Sequence, residues 1–131
     1  MGYLDGSARL LAINHVTYNV TDTKRALLFW QDVLGVKQIP KQVDNKHLIW
    51  LQLPSGSMVH LVKDSNAPSV PSHHGAFEVE DIESAANRLI SAGIQTTGIS
   101  ERKDGQRAFY IHDPDGNRIE ICSKSGFSIL V

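Results

Sequence analysis

The chain has 131 residues, 13 Lys+Arg against 14 Asp+Glu, a net charge of −1 and a pI near 6.6. That is enough for one domain with a buried core, and it excludes the strong basic field of a nucleic-acid binder. No apolar run reaches membrane-spanning length and no charged-then-apolar leader opens the chain, so a cytoplasmic protein that avoids membranes is expected; the single Cys122 rules out an internal disulfide and suits a reducing compartment.

Residues 10–20 (LLAINHVTYNV) are rich in β-branched and aromatic residues and read as a first strand. Thr21-Asp22 caps a helix whose apolar positions are Ala26, Leu27, Phe29, Trp30, Val33 and Leu34, and Gly35 ends it. Residues 36–43 read as strand, Asp44-Asn45-Lys46 as a hairpin turn, and 47–53 as the next strand. After Pro54-Ser55-Gly56-Ser57, residues 58–63 form a fourth. A first module over 10–63 therefore has the order βαβββ. Residues 64–72, with two prolines and three serines, are the linker.

The order then repeats in a second module over 73–122. Residues 73–79 are a strand, and Asp81 caps a helix with Ile82, Ala85, Ala86, Leu89 and Ile90 on its apolar side, ended by Gly93. Residues 94–99 and 107–112 are strands around the polar loop 100–106. Asp113-Pro114-Asp115-Gly116 is a tight turn and 117–122 the last strand. The tail, 123–131, ends in Phe127, Ile129, Leu130 and Val131 without an assignable place.

The two modules match in detail. His60 lies four residues after the turn glycine Gly56, and Glu120 four after Gly116; His15 and His74 lie about 60 residues apart, as do His60 and Glu120. Period-two alternation sets Val16, Tyr18 and Val20 against His15, Thr17 and Asn19. In the same way Gly75, Phe77 and Val79 oppose His74, and the isoleucines of the last strand oppose Glu120. The apolar faces should take the helices, leaving every ligand candidate on the opposite, concave faces of two curved sheets.

One histidine in a strand is more often a packed side chain than a ligand, but four such residues at matched repeat positions favour a metal site of His15, His60, His74 and Glu120. Three imidazoles and a carboxylate suit nickel, zinc, manganese, iron or cobalt better than calcium or magnesium. Such an ion polarises a small oxygenated substrate, and Glu120 is the candidate base. Tyr110 and Arg107, on the seventh strand, are candidates to reach the substrate. His73, His47 and His112 read as surface or structural, Cys122 as a small buried hydrophobe, and Arg102 and Lys103 as a solvated charge cluster, with anion capture as the lesser option.

The runs Asn14-His15-Val16-Thr17, His74-Gly75-Ala76-Phe77-Glu78-Val79 and Asp113-Pro114-Asp115-Gly116-Asn117-Arg118-Ile119-Glu120 resemble the vicinal oxygen chelate superfamily, over nearly the whole chain. That group includes glyoxalase I, methylmalonyl-CoA epimerase, fosfomycin thiol transferases, extradiol dioxygenases and bleomycin-binding proteins. The resemblance implies an α+β fold, two βαβββ modules forming a curved mixed-sheet cup, and commonly a homodimer in which modules pair within or between chains. It places His15, His74 and Glu120 at the common ligand positions. His60 stands at the fourth, where bacterial glyoxalase I has a glutamate, so proton shuttling would rest on Glu120 with His60 assisting.

The implied activity is that of a glyoxalase-like lyase or isomerase, such as one acting on a thiol adduct of a 2-oxoaldehyde. Two alternatives stay open. One is a fosfomycin-type thiol transferase, in which Thr17 and Tyr110 contact the antibiotic, although the loop 100–106 matches the potassium-binding loop of those enzymes poorly. The other is a metal-free drug-binding module, which would lack this ligand set.

Overall fold

A computed structural model describes residues 13–64, 66, 73–103 and 105–124. Strand β1 (His15–Val20) leads into helix α1 (Thr23–Leu27), followed by β2 (Lys37–Ile39), β3 (Leu48–Gln52) and β4 (Met58–Lys63). The second module runs β5 (His74–Glu78), α2 (Ile82–Ser91), β6 (Ser100–Glu101), β7 (Arg107–His112) and β8 (Arg118–Cys122). Each module makes a four-stranded mixed sheet, in the orders β1-β4-β3-β2 and β5-β8-β7-β6. The outer strand that begins each module pairs in parallel with the one that ends it. This is the α+β arrangement of two βαβββ modules that the repeat implies.

The expected caps form. The Asp22 carboxylate accepts from the Arg25 amide at 3.1 Å and Asp81 from the Ser84 amide at 3.0 Å, each satisfying an orphan N–H of a first helical turn. Gly35 and Gly93 end the helices at φ +74° and +82°, a backbone region costly for other residues. Beyond Leu27 the first helix widens to π geometry over Leu28–Val33, with the Leu34 amide donating to the Phe29 carbonyl at 3.0 Å. The wide turn lets the adjacent Phe29 and Trp30 both enter the core, while Leu28 stays exposed.

Alternation sorts the faces as expected. Tyr18, Val20, Val59, Leu61, Ile119 and Ile121 are buried against the helical residues Ala26, Trp30, Ile82 and Leu89 in one core shared by both modules. Trp30 sits at its centre, with Tyr18 at 5.3 Å and Phe77 at 5.9 Å between ring centroids.

Several expected elements differ. The strand over 36–43 shrinks to β2, and the 94–99 strand does not form; a two-residue β6 follows it instead. Thr97 explains the second change. Its amide donates to the Tyr110 carbonyl, but the Tyr110 amide donates to the Thr97 hydroxyl at 2.8 Å, so a side chain takes the place of the next ladder bond. Ile90, expected on the apolar side of α2, is exposed. The described part of the first strand begins at His15, and residues 10–12, most of the linker and the apolar end of the tail lie outside the described residues.

The seam between modules is polar and close. The Gly75 amide donates to the Tyr18 hydroxyl oxygen at 2.6 Å, and that hydroxyl donates to the Arg118 carbonyl at 3.3 Å. A Cβ on Gly75 would stand 2.8 Å from the Tyr18 oxygen, so only glycine permits this approach. Asp115 reaches across to accept from the Thr21 amide and hydroxyl and to pair with Arg25 at 3.1 Å, while the Asn117 carboxamide donates to the Asn19 carbonyl.

Candidate functional site

The strand registers reproduce the repeat in three dimensions. Thr17 lies opposite His60 and Ala76 opposite Glu120, so His15 and His74 each stand one diagonal step from their partner on the same sheet face. The aromatic opposite each ligand candidate also repeats, with Trp50 facing His60 and Tyr110 facing Glu120. His15 and Thr17 are exposed on that face, as expected, and His74 is exposed on its counterpart.

In the first module the rings form a stack. His60 lies 4.0 Å from His15 and 4.4 Å from Trp50 between ring centroids, tilted from the indole by only 5°. The stack buries His60 to 8 % exposure, and its Nε2 is buried without a hydrogen-bond partner among the described residues. Burial, and then the nearby His15, push the His60 imidazole below its ordinary pKa, which keeps the ring neutral with a lone pair. His15 is oriented from behind, since its Nδ1 lies 2.8 Å from the Asn14 carboxamide oxygen. That oxygen can only accept, so His15 donates from Nδ1, and Nε2 is the nitrogen left for a ligand.

In the second module the ligand candidates are held by polar partners. His74 Nε2 lies 3.2 Å from Glu120 Oε1, and the Tyr110 hydroxyl donates to the same oxygen at 2.9 Å. Glu120 is 6 % exposed, and its second oxygen pairs with Arg102 Nη2 at 3.3 Å. Arg118 lies over the Tyr110 ring, 3.9 Å from its centroid.

Arg102, expected in a solvated charge cluster, keeps 39 % of its side chain exposed and also pairs with Glu120, a contact that sequence alone did not indicate. Trp50 was also missed, although its position ten residues before His60 copies that of Tyr110 before Glu120. Arg107 does not join this face. Three positions from Tyr110, it falls on the opposite side of β7 and pairs with Glu83 of α2 at 3.0 Å. Cys122 is buried, its thiol pushed up chiefly by burial and then by Glu120, which suits an inert side chain.

Within one chain the four ligand candidates gather as two pairs. Among the described residues no group of three or more His, Cys, Asp or Glu side chains is close enough to hold an ion. His15 and His74 do line one groove of ≈ 700 Å³ at the seam, with Met58, Ala76 and Phe77. The unpartnered His60 Nε2, the freed His15 Nε2 and a buried carboxylate fit a borderline divalent cation as donors, but each module supplies only two of them.

Comparison with known proteins identifies the family. Residues 12–121 match the family model described as Glyoxalase/Bleomycin resistance protein/Dioxygenase superfamily. The chain is 29 % identical over 118 residues to glutathione transferase FosA of Serratia marcescens, covering 86 % of this chain and 80 % of that one. It is 30 % identical over 122 residues to ethylmalonyl-CoA/methylmalonyl-CoA epimerase of Cereibacter sphaeroides, covering 80 % and 90 % respectively. Among solved structures, a glyoxalase family protein from Bacillus anthracis superposes with a TM-score of 0.81 at 27 % identity, over 91 % of this chain and 99 % of that one. Two βαβββ modules, and a family match over most of its length, make this chain a member of the Glyoxalase/Bleomycin resistance protein/Dioxygenase superfamily.

Proposed function

We propose that the protein is a metal-dependent lyase or isomerase acting on a small oxygenated substrate, such as a thiol adduct of a 2-oxoaldehyde. The observation that carries this is the buried, unpartnered Nε2 of His60 stacked on His15, matched in the second module by the His74–Glu120 pair. A neutral imidazole nitrogen buried without a partner loses hydrogen-bonding free energy, and a bound cation would restore it.

Because each chain holds two donors on each of two modules, the complete set would form in a symmetric homodimer. There His15 and His60 of one protomer would meet His74 and Glu120 of its partner, giving two equal sites. A divalent ion held there, of nickel, zinc, manganese, iron or cobalt, would supply Lewis-acid polarisation of adjacent substrate oxygens. Glu120 would move the proton between neighbouring substrate carbons, with His60 assisting and the Tyr110 hydroxyl and His74 fixing the carboxylate. Thr17, exposed beside His60, and Tyr110 would contact the substrate. Arg107, tied to α2, has no part in it.

Thiol transfer is the second reading, favoured by the relatives named glutathione transferase FosA and, from Bacillus licheniformis, metallothiol transferase FosB. Parallel assays of methylglyoxal with glutathione and of fosfomycin with a thiol, each with added metal, separate the two. Isomerisation is the expected result, and transfer without isomerisation would replace it. Nickel, zinc or manganese should raise the melting temperature. No bound ion and no such rise would favour a metal-free binding module instead.

A further inference from the structure

In the single chain, both oxygens of the Glu120 carboxylate are already engaged. Oε1 takes His74 and Tyr110, and Oε2 takes the Arg102 guanidinium at 3.3 Å. Arg102 is held for this task. Its amide donates to the Gln106 carbonyl at 2.7 Å and its carbonyl accepts from the Gly105 amide at 3.0 Å, closing the β6–β7 hairpin. Its Nη1 lies 3.4 Å from Gln106 Oε1, and Nη2 also reaches the Tyr110 hydroxyl at 3.4 Å. The guanidinium thus neutralises a carboxylate that is 6 % exposed and would be costly to leave bare. A divalent cation arriving at Oε2 would meet a positive charge within contact distance, where repulsion between like charges is strong.

We infer that Arg102 is a resident counter-ion that competes with the metal for Glu120, so that metal binding displaces it. This rests on the metal-binding role proposed above for Glu120.

Calorimetric titration of the full chain with Zn²⁺ tests it, using the wild type, Arg102→Gln, Lys103→Gln and Glu120→Gln. Arg102→Gln should bind the ion about 10-fold more tightly, with a lower melting temperature than the wild type before loading and an equal one after. Lys103→Gln removes the same charge from the same hairpin without touching Glu120 and should change affinity less than about 2-fold. Affinity lost in Glu120→Gln but unchanged or weakened in Arg102→Gln would overturn the competition alone. Equal gains in Arg102→Gln and Lys103→Gln would overturn it too, reducing the effect to general charge. Affinity retained in Glu120→Gln would instead remove the ligand role itself, and the inference with it.

Discussion

The two modules share a backbone plan and differ in the electrical state of the pair each presents. Both use an Asp cap, a left-handed glycine stop and a Pro-x-Gly turn, with Gly56 and Gly116 at φ +99° and +83°. Both set one ligand candidate on the outer parallel strand and the other a diagonal step away. In the first module the buried member, His60, is held neutral and covered by rings; in the second it is a carboxylate braced by a phenol, an imidazole and a guanidinium. Duplication fixed where the donors stand, and the neighbouring side chains decide which of them carries charge.

The hardest break in this comparison is Glu120→Gln, which removes the one buried carboxylate of the two pairs. Turnover should fall about 100-fold or more, with the fold retained in circular dichroism; full activity would refute the role of Glu120. His60→Glu presses from the other side by giving module one a carboxylate too. Trp50 and His15 cover that position, not a guanidinium, so denaturant unfolding should reveal a loss of about 3 kcal/mol. An unchanged midpoint would mean that the modules do not differ as described. Gly75→Ala strikes the seam on which both depend. The added methyl meets the Tyr18 oxygen and the Phe77 ring, and stability should drop by about 1–3 kcal/mol.

The mildest test sharpens the neutral character of His60 through pH. In the fold the His60 pKa lies below its ordinary value of 6.5, so near that pH the unfolded chain binds the proton more readily. Stability should therefore be complete above about pH 6.5 and decline as pH falls through that value toward the folded pKa. His60→Gln should flatten the decline, and an identical slope in the variant would show that other groups produce it.

Much of this was legible in the residue order. Caps, stops, strand β4 and β7, and the separation of apolar from ligand faces follow from local chemistry and short periods, which neighbours in sequence enforce. Arg107 could have been discounted by parity with Tyr110, and Trp50 found from its repeat position. The lost strand over 94–99 could not, since it depends on Thr97 meeting Tyr110 across the sheet. The Asp113–Asn117 turn acquires a further meaning in the fold. Buried Asp113 accepts from the Asn117 amide and carboxamide and from the Asp115 amide, while Asp115 and Asn117 clasp the first module, so the motif before Glu120 is also the fastening of the two halves.

By itself, the sequence determined the duplicated βαβββ order and the four donors at equivalent positions, because strand period and turn chemistry act over a few residues. Only the tertiary structure decided that these ligand candidates meet as two separate pairs, that Arg102 attends the carboxylate, and that His60 is sealed between two rings. Those outcomes depend on contacts between strands and a hairpin far apart along the chain, whose geometry no local pattern encodes.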